Sequence, residues 1–250
     1  MAGVWPYPPW IAHRGAGRAA PENTLAAFRV GAAHGFHAFE CDVKLSRDGV
    51  PFLLHDATLE RTTNGRGRAA DLDWSSLARL DAGGWHSRTY AGEPPATLEA
   101  IAAFCRANGH ALDIEIKPTA GQEEETGDAV AHAAQRLWPG AAVPPLLTSF
   151  APASLAAARA AQPGLPRALL LERLRDGWLD EALGLGCVAV VFAHALLDAA
   201  VVATLRAKGL RALAYTVNDP AEVLRLTGLG IDGLVTDAVD RFSPARPGLA

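Results

Sequence analysis

The chain has 250 residues, half of them hydrophobic, a length and composition that one large α/β domain fills. Its formal net charge is only -4 and no Lys/Arg cluster stands out, so nothing steers it to nucleic acid or a membrane surface; a small anionic substrate has to be captured by local charges in a pocket. Three cysteines (Cys41, Cys105, Cys187) lie far apart without C-x-x-C spacing, which argues against a disulfide framework or a zinc site and suits a reducing compartment. Residues Met1 to Pro9 are proline-rich and carry no secretory signal, and no apolar run approaches the roughly 20 residues that span a bilayer. A cytoplasmic protein is expected.

Short apolar runs alternate with Ala/Leu-rich stretches along the chain, the signature of βαβ units and a parallel sheet. Strands are expected at Trp10–His13, His37–Asp42, Ala111–Lys117, Leu146–Thr148, Arg167–Leu171, Cys187–Phe192, Arg211–Thr216 and Asp232–Thr236. Helices are expected between them, at Thr24–His34, Leu98–Asn108, Asp128–Trp138, Ala151–Gln162, Asp176–Gly184, Asp198–Lys208 and Pro220–Leu229. Asn23 and Asp219-Pro220 read as helix starts, and Gly35, Gly109, Gly209 and Gly230 as left-handed helix ends. Eight strands with helical crossovers predict a (β/α)8 barrel, with an open doubly wound sheet as the alternative. The open sheet usually carries G-x-G-x-x-G after its first strand; here that place holds His13-Arg14-Gly15-Ala16-Gly17.

After Asp42 the chain leaves no room for a helix. Asp48-Gly49 is a two-residue turn signal, so an antiparallel hairpin is expected after the second strand, with Arg47 facing Val50 and Asp42 facing His55. Residues 56–96 then read as an insertion at the barrel mouth, too long for a plain loop.

Barrel enzymes place chemistry at the C-terminal ends of strands, and polar residues gather there in this sequence. The first strand ends in His13-Arg14. Period-two alternation sends Glu40 and Asp42 to one face of the second strand, and Glu115 and Lys117 to one face of the third. Glu40, Asp42 and Glu115 are oxygen ligands suited to Mg²⁺ or Ca²⁺. Any one of them could instead form a rim salt bridge with Arg14 or Lys117; three together beside two histidines point to a site. Histidine side chains ordinarily titrate near neutrality, so residues of the type of His13 and His55 can accept or donate a proton, while Arg14 offers a forked donor and Lys117 a compact charge to a phosphate. The other histidines have no comparable setting. Asp237, after the last strand, is read as buttressing Arg14 or, preferably, as closing the barrel.

These segments resemble the glycerophosphodiester phosphodiesterase family, and in particular its cytosolic bacterial branch. The resemblance is carried, in the family's order, by Ala12-His13-Arg14-Gly15, Pro21-Glu22-Asn23-Thr24, Glu40-Cys41-Asp42-Val43, Asp48-Gly49 with Leu54-His55-Asp56, and Ile114-Glu115-Ile116-Lys117-Pro118. Tyr215-Thr216-Val217-Asn218 and the run from Gly230 to Asp237 complete it over nearly the whole chain; Val239 stands where many relatives carry proline. The resemblance implies a single barrel domain in which His13 and His55 are the acid/base pair, with His13 as base and His55 as acid by analogy with related phospholipase C-type barrels. It also implies that Glu40, Asp42 and Glu115 hold one divalent cation and that Arg14 and Lys117 contact the phosphate of a small glycerophosphodiester. A lipid-cleaving phospholipase or a lyase is a second reading, for which neither an apolar rim nor a basic face is seen; a phosphometabolite-binding barrel without turnover is a third.

Overall fold

A computed structural model describes residues 5–242 and 244. Among these, nine strands make one sheet: β1 (Trp10–Ala12), β2 (Ala38–Leu45), β3 (Pro51–Leu53), β4 (Ala111–Ile116), β5 (Leu146–Ser149), β6 (Arg167–Leu171), β7 (Ala189–Ala193), β8 (Arg211–Tyr215) and β9 (Gly233–Thr236). Eight of them run parallel, and the pairings of β1 with both β9 and β2 close the ring. The barrel is therefore the expected (β/α)8 type, and β3 is the antiparallel addition. Helices α1 (Leu25–Ala33), α3 (Leu98–Asn108), α4 (Glu123–Leu137), α5 (Pro152–Ala161), α6 (Trp178–Gly184), α7 (Ala199–Ala207) and α8 (Pro220–Leu229) surround it, with a short α2 (Trp74–Leu77) in the insertion. No helix among the described residues is long and apolar enough to cross a membrane.

Strand alternation divides the core into two layers. Outward positions such as Phe39, Cys41, Val43, Ile114 and Val190 pack under the helices. Inward positions are smaller, including Ile11, Ala38, Ala168, Leu170, Ala189, Val191 and Val235, and fill the barrel; Trp5 and Tyr7 pack against this inner layer. All three cysteines are buried and free.

Local physics moves several boundaries. Asn23 does not cap α1: Thr24 does, its Oγ1 accepting from Ala27 N at 3.2 Å. Helix α4 begins at Glu123 rather than at Asp128. Three glutamates in its first turn favour the N-terminal end of the helix dipole. Gly127 lies within it; a β-carbon there would lie 2.2 Å from the Ser154 carbonyl oxygen, so the glycine permits close packing on α5. The expected hairpin forms, but in another register. Val43 pairs with Leu53 and Leu45 with Pro51, and Ser46 N donates to Val50 O at 3.1 Å. The turn is thus Arg47-Asp48-Gly49, a three-residue loop closed by Gly49 in the left-handed region at φ 78. Leu54, not His55, lies level with Asp42, its N–H donating to Asp42 O at 3.1 Å.

The insertion packs Leu59, Ala69 and Leu77 against Phe52 of β3 and Leu54 just after it, forming a small second core. It is tied to the barrel by Glu93, whose Oε1 accepts from Ala26 N in the first turn of α1 at 2.9 Å.

Candidate active site

The inward residues at the C-terminal end of the barrel surround a cavity of about 370 Å³ lined by His13, Arg14, Glu40, His55, Glu115 and Lys117, with Asp113, Phe150, Glu172 and Tyr215 among its other walls. Asp42 lies just behind them, 1% exposed. All seven residues singled out from the sequence thus meet at one place.

Glu40, Asp42 and Glu115 form the acidic centre. They are buried, and each offers one carboxylate oxygen within 4.8 Å of the others, a group that could hold a metal ion. Neither Glu40 Oε1 nor Asp42 Oδ1 has a hydrogen-bond partner. Burial, then repulsion from Asp42 and Glu115, holds the Glu40 carboxyl well above its ordinary pKa. Burial and Asp42 likewise push Glu115 up to about 7. Asp42 goes the other way: burial would raise it, but Arg14 and Lys117 outweigh that and bring it to about 2. Orphaned, mutually repelling carboxylate oxygens fit a hard divalent cation, whose charge would offset the repulsion.

Two cations face this centre. Lys117 Nζ donates to Glu115 Oε1 at 2.7 Å and lies 3.5 Å from Asp42 Oδ1. Arg14 Nη1 donates to Glu22 Oε1 at 2.8 Å, and its Nε lies 3.2 Å from Asp42 Oδ2 without forming a hydrogen bond. Arg14 sits in the left-handed region at φ 50, and this turn aims its backbone N–H at Glu40 Oε2, 2.9 Å away. Asn23, also left-handed at φ 60, donates from Nδ2 to Asp42 Oδ2 at 2.8 Å. Strain at both positions is held by these contacts and marks the site. Lys44 Nζ reaches the Lys117 carbonyl at 3.1 Å, and burial followed by the Lys117 charge lowers its pKa to about 8.

Each histidine has its own carboxylate. His13 Nδ1 lies 2.6 Å from Asp237 Oδ1, and His55 Nδ1 lies 2.7 Å from Asp56 Oδ1. An ionised carboxylate only accepts, so each Nδ1 carries the proton and donates, which leaves each Nε2 free for chemistry. His13 Nε2 is 3.8 Å from Glu40 Oε2. Burial would raise Asp237, but the hydrogen bond and charge of His13 keep it below its ordinary value. His55 is shifted down by burial, against the pull of Asp42 and Asp56.

The sequence profile of the Glycerophosphoryl diester phosphodiesterase family matches residues 13–241. The chain belongs to this family. Its resemblance to the family extends to bacterial relatives: the Bacillus subtilis protein YhdW is 32% identical over 92% of this chain and 94% of its own length. A glycerophosphodiester phosphodiesterase of Caldanaerobacter subterraneus is 30% identical over 91% of this chain and 93% of that protein. Among solved structures, a phosphodiesterase from Oleispira antarctica in complex with the product sn-glycerol-3-phosphate superimposes with a TM-score of 0.89 at 34% identity, covering 94% of this chain and 95% of that one. The barrel is thus that of the glycerophosphodiester phosphodiesterases.

Within the family frame, the structure revises one reading. Asp237 neither buttresses Arg14 nor merely closes the barrel; it holds His13 and is itself held by Asn218 Nδ2 at 3.1 Å. Asp56, Glu22 and Arg61 had no assigned role in the sequence. For Asp56, its place directly after His55 was an available signal. For Glu22 and Arg61 nothing local marks the connection, which crosses from one loop to another.

Proposed function

We propose that the protein hydrolyses glycerophosphodiesters to glycerol 3-phosphate and a free alcohol such as choline, ethanolamine or glycerol. The observation that carries this reading is the pair of carboxylate-tethered histidines, each with Nε2 free, lining one cavity with two cations and a three-carboxylate cluster.

Glu40, Asp42 and Glu115 would hold one divalent cation, Mg²⁺ or Ca²⁺, which when bound would act as a Lewis acid toward the phosphoryl oxygens. Arg14 and Lys117, which both line the cavity, bind those oxygens. His13 takes a proton at Nε2 from the attacking oxygen, which is either water or the glycerol 2-hydroxyl. His55 delivers a proton from Nε2 to the departing alkoxide. Asp237 and Asp56 fix the two rings and stabilise whichever imidazolium forms. If the 2-hydroxyl attacks, a cyclic phosphate results. The roles then reverse: His55 takes a proton from the incoming water and His13 returns one to the glycerol oxygen.

The test is incubation of the purified protein with glycerophosphocholine and glycerophosphoethanolamine in Mg²⁺ or Ca²⁺, with detection of glycerol 3-phosphate. Release of phosphocholine and glycerol instead would place the cleavage on the other ester bond and overturn the reading. So would the absence of glycerol 3-phosphate from either substrate.

A further inference from the structure

We infer that Arg61, on the inserted segment, is a positioning residue that holds His55 and Arg14 in a common register. The inference rests on the roles proposed above for those two residues.

The geometry is a continuous chain of charge-assisted bonds. Arg61 Nε donates to Asp56 Oδ2 at 2.6 Å and Nη2 to Asp56 Oδ1 at 3.0 Å. The other edge of the same guanidinium donates to Glu22, Nη1 to Oε2 at 2.8 Å and Nη2 to Oε1 at 2.8 Å. Glu22 Oε1 also accepts from Arg14 Nη1, and Asp56 Oδ1 also accepts from His55 Nδ1. One planar fork therefore links the loop after β1, which carries Arg14, to the loop after β3, which carries His55. No other side-chain hydrogen bond or ion pair joins Glu22 to Asp56 among the contacts of the described residues.

An exposed ion pair usually contributes little, and Arg61 is 42% exposed. Here both carboxylates are gripped bidentately, the arrangement in which arginine imposes direction as well as charge and which lysine cannot reproduce. The backbone beneath Arg61 is also fixed. Leu59 is buried in the small core, and its carbonyl accepts from both Thr63 N and Thr63 Oγ1, at 3.0 and 2.7 Å. Asp56 is held below the ordinary carboxylate range, first by the bond from Arg61. It therefore stays an acceptor for His55 Nδ1. The insertion thus acts as a brace between acid and phosphate-binding group.

The experiment compares Arg61→Ala, Arg61→Lys and His55→Ala, each checked by a thermal melt, on glycerophosphocholine and on a p-nitrophenyl glycerophosphate ester. The choline ester needs a proton donor for its leaving alkoxide, whereas the nitrophenolate leaves unaided. Arg61→Ala is expected to lower kcat on the choline ester by about tenfold to a hundredfold and on the nitrophenyl ester by no more than about threefold, the scale of a misplaced catalytic group. KM should rise on both, through Arg14. Arg61→Lys should show the same pattern more weakly, which keeps the test open if the alanine variant folds poorly. Adding Arg61→Ala to His55→Ala should cost no further kcat on the choline ester. Equal loss on both esters, additive loss in the double variant, or wild-type rates would overturn the inference. If His55→Ala itself shows no preference between the esters, the acid role of His55 fails and the inference falls with it.

Discussion

On β2 and β4 the inward positions carry Glu40, Asp42, Lys44, Asp113 and Glu115, whereas on β6 and β7, across the barrel, they carry Ala168, Leu170, Ala189 and Val191. Both halves obey the same alternation and bury their side chains to a similar degree. The difference lies in what burial does. Across the barrel it removes apolar surface from water and stabilises the fold at about 25 cal/mol per Å². On β2 and β4 it strips water from carboxylates that repel one another, a destabilising arrangement kept because it holds a site. One half of the ring supplies stability and the other spends some of it on chemistry.

That contrast can be broken in four ways, the largest effect first. Chelation with EDTA should abolish turnover, and Mg²⁺ or Ca²⁺ should restore it; full activity after rigorous chelation would mean that the acidic half is only an ion-pair network. His13→Ala and His55→Ala should each cut turnover on glycerophosphocholine by about a hundredfold or more, the usual contribution of a general acid or base. The exposed His132 on α4 is the control, and its replacement by alanine should leave the rate unchanged.

The apolar half should respond in the opposite manner. Leu169 is fully buried under the helices, and Leu169→Ala should destabilise the protein by roughly 2–5 kcal/mol while KM stays at its wild-type value. Denaturant unfolding together with steady-state kinetics would separate the two effects. A large change in KM without loss of stability would show that the halves are not distinct.

The smallest effect concerns pH. Burial pushes Asp113 up to about 7, and burial followed by Asp42 does the same to Glu115; burial and then Asp42 also hold Glu40 well above its ordinary value. A carboxyl whose pKa is higher folded than unfolded contributes fully below its unfolded value and loses that contribution as pH rises through the folded one. The metal-free protein should therefore lose stability between about pH 4 and pH 7, and a saturating divalent cation should reduce the loss. Asp42 at about 2, and Asp237 and Glu22, are lowered instead, so their contributions disappear only on further acidification. Asp113→Asn keeps an acceptor for the Thr148 hydroxyl and should flatten the fall in Tm by roughly 2–4 °C, the shift that about 1 kcal/mol produces in a domain of this size. Melting curves at pH 5 and pH 8 would check this. A Tm that rises across the interval would reverse the sign and sink the argument.

Much of the charged half was legible in the sequence because alternation is local. Glu40 and Asp42, or Glu115 and Lys117, need only a strand to share a face. The barrel was legible for the same reason, each βα unit announcing itself in turn. What escaped was decided by backbone conformations and distant partners. The hairpin register turned on Gly49 adopting a positive φ, which made the loop three residues and moved His55 past Asp42. The extra turn of α4 contains Gly127, whose place in a helix becomes intelligible only once α5 is packed against it. The Asp237 partner lies 224 positions away, and the Arg61 brace joins loops that no periodicity relates.

The bond between His13 and Asp237 has a temporal side. It spans the seam where β9 meets β1, and Gly17 is lodged there so closely that a β-carbon would lie 2.2 Å from the Asp237 backbone. During synthesis the carboxylates of β2 and β4 emerge early, long before Asp237 leaves the ribosome. A chain that stops short of Asp237 already contains Glu40, Asp42 and Glu115 but lacks the carboxylate that orients the His13 ring. The orientation of His13 is thereby tied to closure of the ring: the residue just past the last strand fixes the side chain at the end of the first.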